Sequence, residues 1–303
     1  MKVEYYNFDK WHIPSNFSEA SGRGEKHWLQ NDNELGLFKY PKSTSTFEHI
    51  SEHIASNIGK MLKIPCADVD IGTYNGRQGC LSYLVTNPNE TMYEGITFLQ
   101  IQYNDYDEST LQCSNGERYS FKMIWNSLVN NYLRSSFFSS VPIFDFIIGN
   151  SDRHHNNWAV IINKNFEFKL SPLYDNGSSL CSYVKEEDID SYYQDKNRFI
   201  ALVTSKSRSC ISINNKKKPY HNDVIRYLLT NNYISSDYII ELIAPLTDDA
   251  IKELLYSYSD IISEKRINLL VDFIRIKVHM LLLICKNKEV DLSEEIRNLL
   301  AMS

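Results

Sequence analysis

Two short polar runs leave this chain few ways to fold. The first, residues 148 to 158, reads Ile-Gly-Asn-Ser-Asp-Arg-His-His-Asn-Asn-Trp, and the second, residues 172 to 177, reads Pro-Leu-Tyr-Asp-Asn-Gly. An apolar run, Val141 to Ile148, leads into the first. Two strand-like runs, Trp158 to Ile162 and Phe166 to Leu170, flank Asn163-Lys-Asn165 as a hairpin and lead into the second. Polar loops between apolar strands are where a scaffold presents its chemistry. The spacing is specific: Asp152 precedes Asn157 by five residues, and Asp175 is followed two residues on by Gly177.

The segments upstream fit a small sheet. Residues 3 to 8 read as a first strand, followed by the glycine-containing run Ser18 to Leu29. Gly22 and Gly24 let the backbone approach a ligand, and Lys26 places a positive charge just beyond. The strands His27 to Leu29 and Leu35 to Tyr40 form a hairpin around Asn31 to Gly36. Lys39 therefore lies on a strand, its side chain opposed to those of Phe38 and Tyr40. Phe47 to Leu62 has helical spacing through Ile50, Ile54 and Ile58, with Ser45 or Thr46 as cap and Pro65 as stop. Glu48 and Glu52 share one face of it, and either can reach Lys39. Asp68 to Tyr74 and Cys80 to Thr86 form another hairpin, and the break at Asn87 to Glu90 marks a boundary between residues 1–87 and 88–303.

Beyond the boundary, Met92 to Phe138 reads as helical with a polar interruption at Asn104 to Glu117. Lys122 to Phe138 is one amphipathic helix of core residues. Residues 181 to 221 lack periodicity and read as a long irregular segment. Asn222 to Ala301 reads as four or five amphipathic helices with Asp237, Thr247, Ser263 and Ser293 as caps.

Composition removes several function classes. A net charge of -6 and a pI near 5.8 argue against a general nucleic-acid surface, although Lys216-Lys-Lys218 is a local basic cluster. The six cysteines (Cys66, Cys80, Cys113, Cys181, Cys210, Cys285) have no metal-like spacing and suit a reducing compartment. The N-terminus lacks the apolar core of a signal peptide, and Ile267 to Cys285 carries Asp272, Arg275, Lys277 and His279, unlike a membrane span. A cytoplasmic protein without a membrane span is the expectation. Zinc at His154, His155 and Asp152 lacks a spaced third ligand, and no Gly-x-Ser-x-Gly elbow supports a serine hydrolase.

Phosphoryl transfer needs positive charge around the triphosphate, a divalent metal on hard oxygens, and an oriented acceptor. The chain offers all three in order: Gly22, Gly24, Lys26 and Lys39, then Glu48 and Glu52, then Asp152, Asn157 and Asp175. Asp152 suits the acceptor hydroxyl, Asn157 and Asp175 suit magnesium, and Arg153 or His154 can fix the loop or neutralise phosphate.

The run Gly149 to Asn157 with Pro172-Leu-Tyr-Asp175 resembles the catalytic and metal-binding motifs of HipA-like Ser/Thr protein kinases, including their compact cell-translocating type. Ser21-Gly22-Arg-Gly24-Glu-Lys26 and Phe38-Lys39 are similar to that family's phosphate loop and ATP-binding lysine. The resemblance implies an α+β, bilobal protein-kinase-like fold with a small β-rich N-lobe and a larger, mostly helical C-lobe. It implies ATP and magnesium as cofactors and a protein as acceptor. It makes Asp152 the catalytic base, Asn157 and Asp175 the magnesium ligands, and Lys39 the ATP lysine with Glu48 or Glu52 as its partner. Ser18 and Ser21 become candidates for autophosphorylation, and Val85, within the Tyr83–Thr86 stretch, a hinge residue against adenine. Toxins of the HipA type usually carry an additional N-terminal subdomain that binds an antitoxin, and this sequence starts almost at the kinase lobe, which makes antitoxin pairing doubtful. Asp152-Arg-His-x-x-Asn157 is also similar to the loop of phosphatidylinositol kinases, which makes a lipid kinase the alternative enzyme and a nucleotide-binding pseudokinase the non-catalytic one.

Overall fold

Alternating burial builds the first sheet. In the computed structural model, which describes residues 2–15, 24–32, 34–130 and 138–302, strands β2 (Lys26–Asn31) and β3 (Glu34–Lys39) form the expected hairpin. Leu29 and Phe38 are fully buried in a small core with Phe8, Tyr74 and Leu81. Strands β4 (Val69–Tyr74) and β5 (Arg77–Tyr83) form the second hairpin, and β1 (Tyr6–Asn7) adds in parallel beside β4. The sheet order is β1-β4-β5-β3-β2. Helix α1 (Glu48–Met61) lies on β4 and β5, burying Ile50, Ile54 and Ile58. Its first turn has no side-chain cap at Phe47. Ser45 and Thr46, expected there, close a turn on Ser43 instead.

The second sheet departs from expectation at its edge. Residues 90–94, part of which read as helical, form strand β6 (Glu90–Glu94), which pairs with β7 (Ala159–Asn163) and through it with β8 (Phe168–Leu170). Pairing with a strand 65 or more residues away overrides local pattern, as tertiary context does for short elements. Helices α2 (Gly95–Gln102) and α3 (Phe121–Asn130) pack together around the polar interruption. Residues 131–137 of the expected Lys122–Phe138 helix lie outside the described residues.

The apolar run before the first polar loop is not a strand. It is helix α4 (Val141–Ile148), buried on every side. A short, uniformly apolar run carries no period, so burial alone does not distinguish helix from strand. Pro142 in the first turn and Gly149 after the last one do favour a helix. Gly149 adopts φ +66°, and a Cβ there would press on Phe273 at 2.9 Å. The chain thus turns sharply out of α4 into the loop.

The segment 181–221 is also more ordered than its sequence pattern suggests. A 3-10 turn (Glu186–Asp188) leads into α5 (Ile189–Gln194), α6 (Lys196–Ala201) and a π-helical turn (Leu202–Lys206). Six-residue helices are too short to register a 3.6-residue period, although Asp195 caps α6 through the backbone of Asn197 and Arg198. Five helices follow: α7 (His221–Thr230), α8 (Ser236–Ile243), α9 (Asp248–Tyr256), α10 (Glu264–Lys286) and α11 (Leu292–Met302). Thr247 and Ser263 cap as read, whereas Ser235 and Asp291 take the places expected for Asp237 and Ser293. Helix α10, buried over most of its length, packs against α4, α8 and α9. Among the described residues no helix is long and apolar enough to cross a membrane, and all six cysteines are free thiols. The architecture is therefore mixed α+β, a small sheet region with a larger helical portion.

Candidate active site

Lys26 and Lys39 begin and end the first hairpin, and the register places them directly opposite each other. Like charges in that position repel and call for an anion between or beside them. Asp175 supplies one: its carboxylate accepts a hydrogen bond from Lys39 Nζ, and the charge of Lys26 also reaches it. Burial alone would depress the Lys39 ammonium, but the carboxylates of Asp175 and Glu52 outweigh it and hold the group above its ordinary value. Asp175 is opposed by burial and nevertheless held below the ordinary carboxylate range, chiefly by Lys39.

Helix α1 contributes Glu52 rather than Glu48 to this cluster. Glu52 is buried, and its charge bears on Lys39. The backbone N–H groups of Asn176 and Gly177 favour its charged form, while Oε1 has no hydrogen-bond partner among the described residues. Burial raises its pKa, with Lys39 opposing. Gly177 makes this approach feasible, since a Cβ there would sit 3.0 Å from the Glu48 carbonyl oxygen and 3.4 Å from Glu52 Oε2. The Asp-x-Gly spacing thus has a steric reason: the third residue lies flat against α1.

Arg153 fixes the two polar runs relative to each other. It is 1% exposed, and its guanidinium donates to both carboxylate oxygens of Asp145 on α4. Nη1 donates to the carbonyls of Asn157 (2.7 Å) and Tyr174 (3.0 Å), and Nη2 to Asn176 Oδ1 (2.6 Å). Its burial and its bonds to both polar runs suit the first of the two tasks expected of Arg153, the fixing of the loop. Burial pushes the Asp145 carboxyl up and the Arg153 charge opposes it.

The remaining loop residues divide between support and display. Asp152 is exposed, and its carboxylate accepts no hydrogen bond from the described residues. Its backbone carbonyl accepts Asn157 Nδ2 at 2.6 Å, which orients that amide and leaves Asn157 Oδ1 unused. His154 is half-buried and accepts the Asn156 N–H on Nδ1. His155 faces inward against the Tyr106 hydroxyl (2.9 Å), and burial lowers its pKa to about 4. Tyr119 braces the loop, its hydroxyl donating to the Arg153 carbonyl and accepting Trp158 Nε1.

Several supporting residues carried no motif. Asp145 was visible only as the lone acid in an apolar run, and Asn176 only as the middle of Asp-x-Gly. Glu94, at the end of β6, has its carboxyl raised by burial and by Asp175. Gly24 is exposed with open space around it, and Val85 lies half-buried in the extended segment after β5. Ser18, Ser21 and Gly22 lie outside the described residues. No group of three His, Cys, Asp or Glu side chains among the described residues is placed to hold a metal by itself.

The fold is similar to that of solved kinases of the HipA type. The chain is 23% identical over 236 residues to the serine/threonine-protein kinase CtkA of Helicobacter pylori strain J99, covering 74% of this chain and 70% of that protein. The crystal structure of a proinflammatory kinase CtkA from Helicobacter pylori superimposes with a TM-score of 0.80 at 16% identity, over 95% of this chain and all of that one. HipA, in the Shewanella oneidensis toxin–antitoxin complex with HipB and operator DNA, matches at a TM-score of 0.50 and 14% identity, over 94% of this chain and 69% of that one. No family model matches the chain.

Proposed function

We propose that this chain is a Ser/Thr protein kinase that uses ATP and magnesium and transfers the γ-phosphoryl group to a protein hydroxyl. The observation that carries the reading is the convergence of Lys39, Asp175 and Glu52 on a segment tied by Arg153 to the loop displaying Asp152. Residues 1–87 act as the N-lobe and 88–303 as the C-lobe, with Val85 in the connection. The likeness to a kinase of 23% identity supports the reaction class.

The residues suit both cofactors. Lys26 and Lys39, opposed across the hairpin, suit the phosphates. The Asp175 carboxylate and Asn157 Oδ1 are hard oxygens, and magnesium is commonly held by one or two such ligands together with substrate phosphates. Magnesium bound there supplies neutralisation of the charge on the transferring group. Lys39 then exchanges its contact with Asp175 for phosphate while Glu52 keeps it in place. Asp152 orients the acceptor hydroxyl and takes its proton. Autophosphorylation, with Ser18 or Ser21 as acceptor, belongs to the same reading.

The test is transfer from γ-labelled ATP to protein and to itself, for the wild type beside Asp152→Ala and Asp175→Ala. Transfer by the wild type with loss of at least a hundredfold in both variants is expected. Equal silence of all three despite nucleotide binding, or transfer only to phosphoinositide, overturns the proposal.

A further inference from the structure

Residues 196 to 222 contain seven Lys and Arg and no Asp or Glu, a net charge of +7 in a chain whose total is -6. The second half of this segment forms a loop closed by an antiparallel bridge between Arg208 and Tyr220 and a hydrogen bond from Ser209 N–H to the Pro219 carbonyl. Lys206, Lys217 and Lys218 are exposed and have no anionic partner among the described residues. Two other cations are already engaged. Arg208 stacks on Tyr220 and donates to its hydroxyl, and Lys216 pairs with Asp223.

Three points of attachment place this loop beside the polar run that carries Asp152. Ser207 Oγ lies 3.1 Å from where a Cβ on Gly149 would be, at the start of the polar run. Ser212 exchanges backbone hydrogen bonds with Tyr119 and Phe121, and the Tyr119 hydroxyl holds the Arg153 carbonyl. His221 hydrogen-bonds the Asn150 backbone. Between these anchors sits Cys210. Burial pushes its thiol up to about 12, with Asp152 raising it further and Lys218 opposing. The anchors thus hold the loop that carries these free cations against the polar run that carries Asp152.

We propose that the 206–220 loop is the acceptor-docking surface and selects a Ser or Thr flanked by acidic residues on the target protein. The proposal rests on the kinase reading of Asp152. A single phosphorylated headgroup needs cations that converge on one pocket. Here they are strung along an exposed loop, which suits an extended peptide with several carboxylates. The acidic remainder of the chain disfavours a nucleic-acid strand.

The test uses the full chain and matched serine peptides with Glu, Ala or Arg at the flanking positions. Binding is read by fluorescence anisotropy at low and high salt, and transfer by kcat/KM. The wild type should prefer the Glu over the Ala peptide by about tenfold in both readouts, with the preference shrinking in high salt because exposed ion pairs are weak and screened. In Lys217→Glu/Lys218→Glu, checked for folding by thermal unfolding, the ratio should fall to about one or below, with the Arg peptide now favoured. Equal binding of the Glu and Ala peptides by the wild type, with transfer intact, overturns the docking proposal and leaves the kinase. Glu-selective binding with no transfer to any peptide supports the docking surface and overturns the kinase reading. Selective capture of phosphoinositide vesicles without peptide discrimination overturns it in favour of a lipid headgroup.

Discussion

Removing Asp145 should unfold more than it inactivates, and removing its partner should show why. Asp145→Leu leaves the Arg153 guanidinium, 1% exposed, without the two carboxylate oxygens that accept three of its hydrogen bonds. Breaking one side of a buried ion pair costs about 3–5 kcal/mol because a charge stays behind in a low-dielectric interior. Arg153→Met strands the Asp145 carboxylate and should cost a similar amount. The double variant Asp145→Leu/Arg153→Met removes both charges, and apolar replacement of a buried pair is often neutral. It should therefore recover most of the loss, costing about 1–2 kcal/mol against roughly 6–10 kcal/mol for the two singles summed, a coupling of roughly 4–9 kcal/mol in the double-mutant cycle. Transfer should not recover, because the links from Arg153 to Asn157, Tyr174 and Asn176 are gone and the two polar runs are no longer registered. A misplacement of about 1 Å costs on the order of a hundredfold. Denaturant unfolding gives the stabilities, and initial rates with labelled ATP give transfer. Additive destabilisation in the double variant, or near-wild-type transfer by it, would refute the reasoning.

Three further outcomes follow from the same geometry. Lys39→Ala should weaken nucleotide binding by roughly ten- to a hundredfold in calorimetry, the range of a charge-assisted contact; unchanged affinity would remove Lys39 from the phosphate site. Chelation of magnesium should abolish transfer yet leave the thermal midpoint within about 1 °C, since a metal held by only Asp175 and Asn157 together with substrate phosphates is not coupled to folding. His221, buried against Lys277 and the Asn150 backbone, has its pKa lowered to about 3, chiefly by burial. The unfolded chain binds that proton first, so its contribution is full above about pH 6.5 and drains away as pH falls toward 3. His221→Gln should flatten the pH dependence of stability between pH 6.5 and 4 by up to about 1.4 kcal/mol per pH unit, and an unchanged slope in denaturant titrations would contradict this assignment.

Local pattern was enough for both hairpins of the first sheet and for α1, because each is made by neighbours in sequence with a clear period. It was also enough to single out Asp152, Asn157 and Asp175, whose spacing is a property of the chain. It failed where long-range pairing or short length erased the period. The edge strand Glu90–Glu94 exists only because Ala159–Asn163 pairs with it. Val141–Ile148 is apolar on every side and so reads equally as strand or helix, and α5 and α6 are too short to show a stripe.

At the candidate site the division is similar. The amino-acid sequence by itself determined which polar groups were available, their order, and the turn residues Gly149 and Gly177 that let the backbone present them. Only the tertiary structure decided between partners. Glu48 and Glu52 share a helix face, yet the packing of Gly177 on α1 places Glu52 beside Lys39. Arg153 was one cation among several until burial against Asp145 left it the bond that joins the two loops. Spacing along a chain fixes direction within one element, whereas the contact between elements depends on which side chains the core excludes from water.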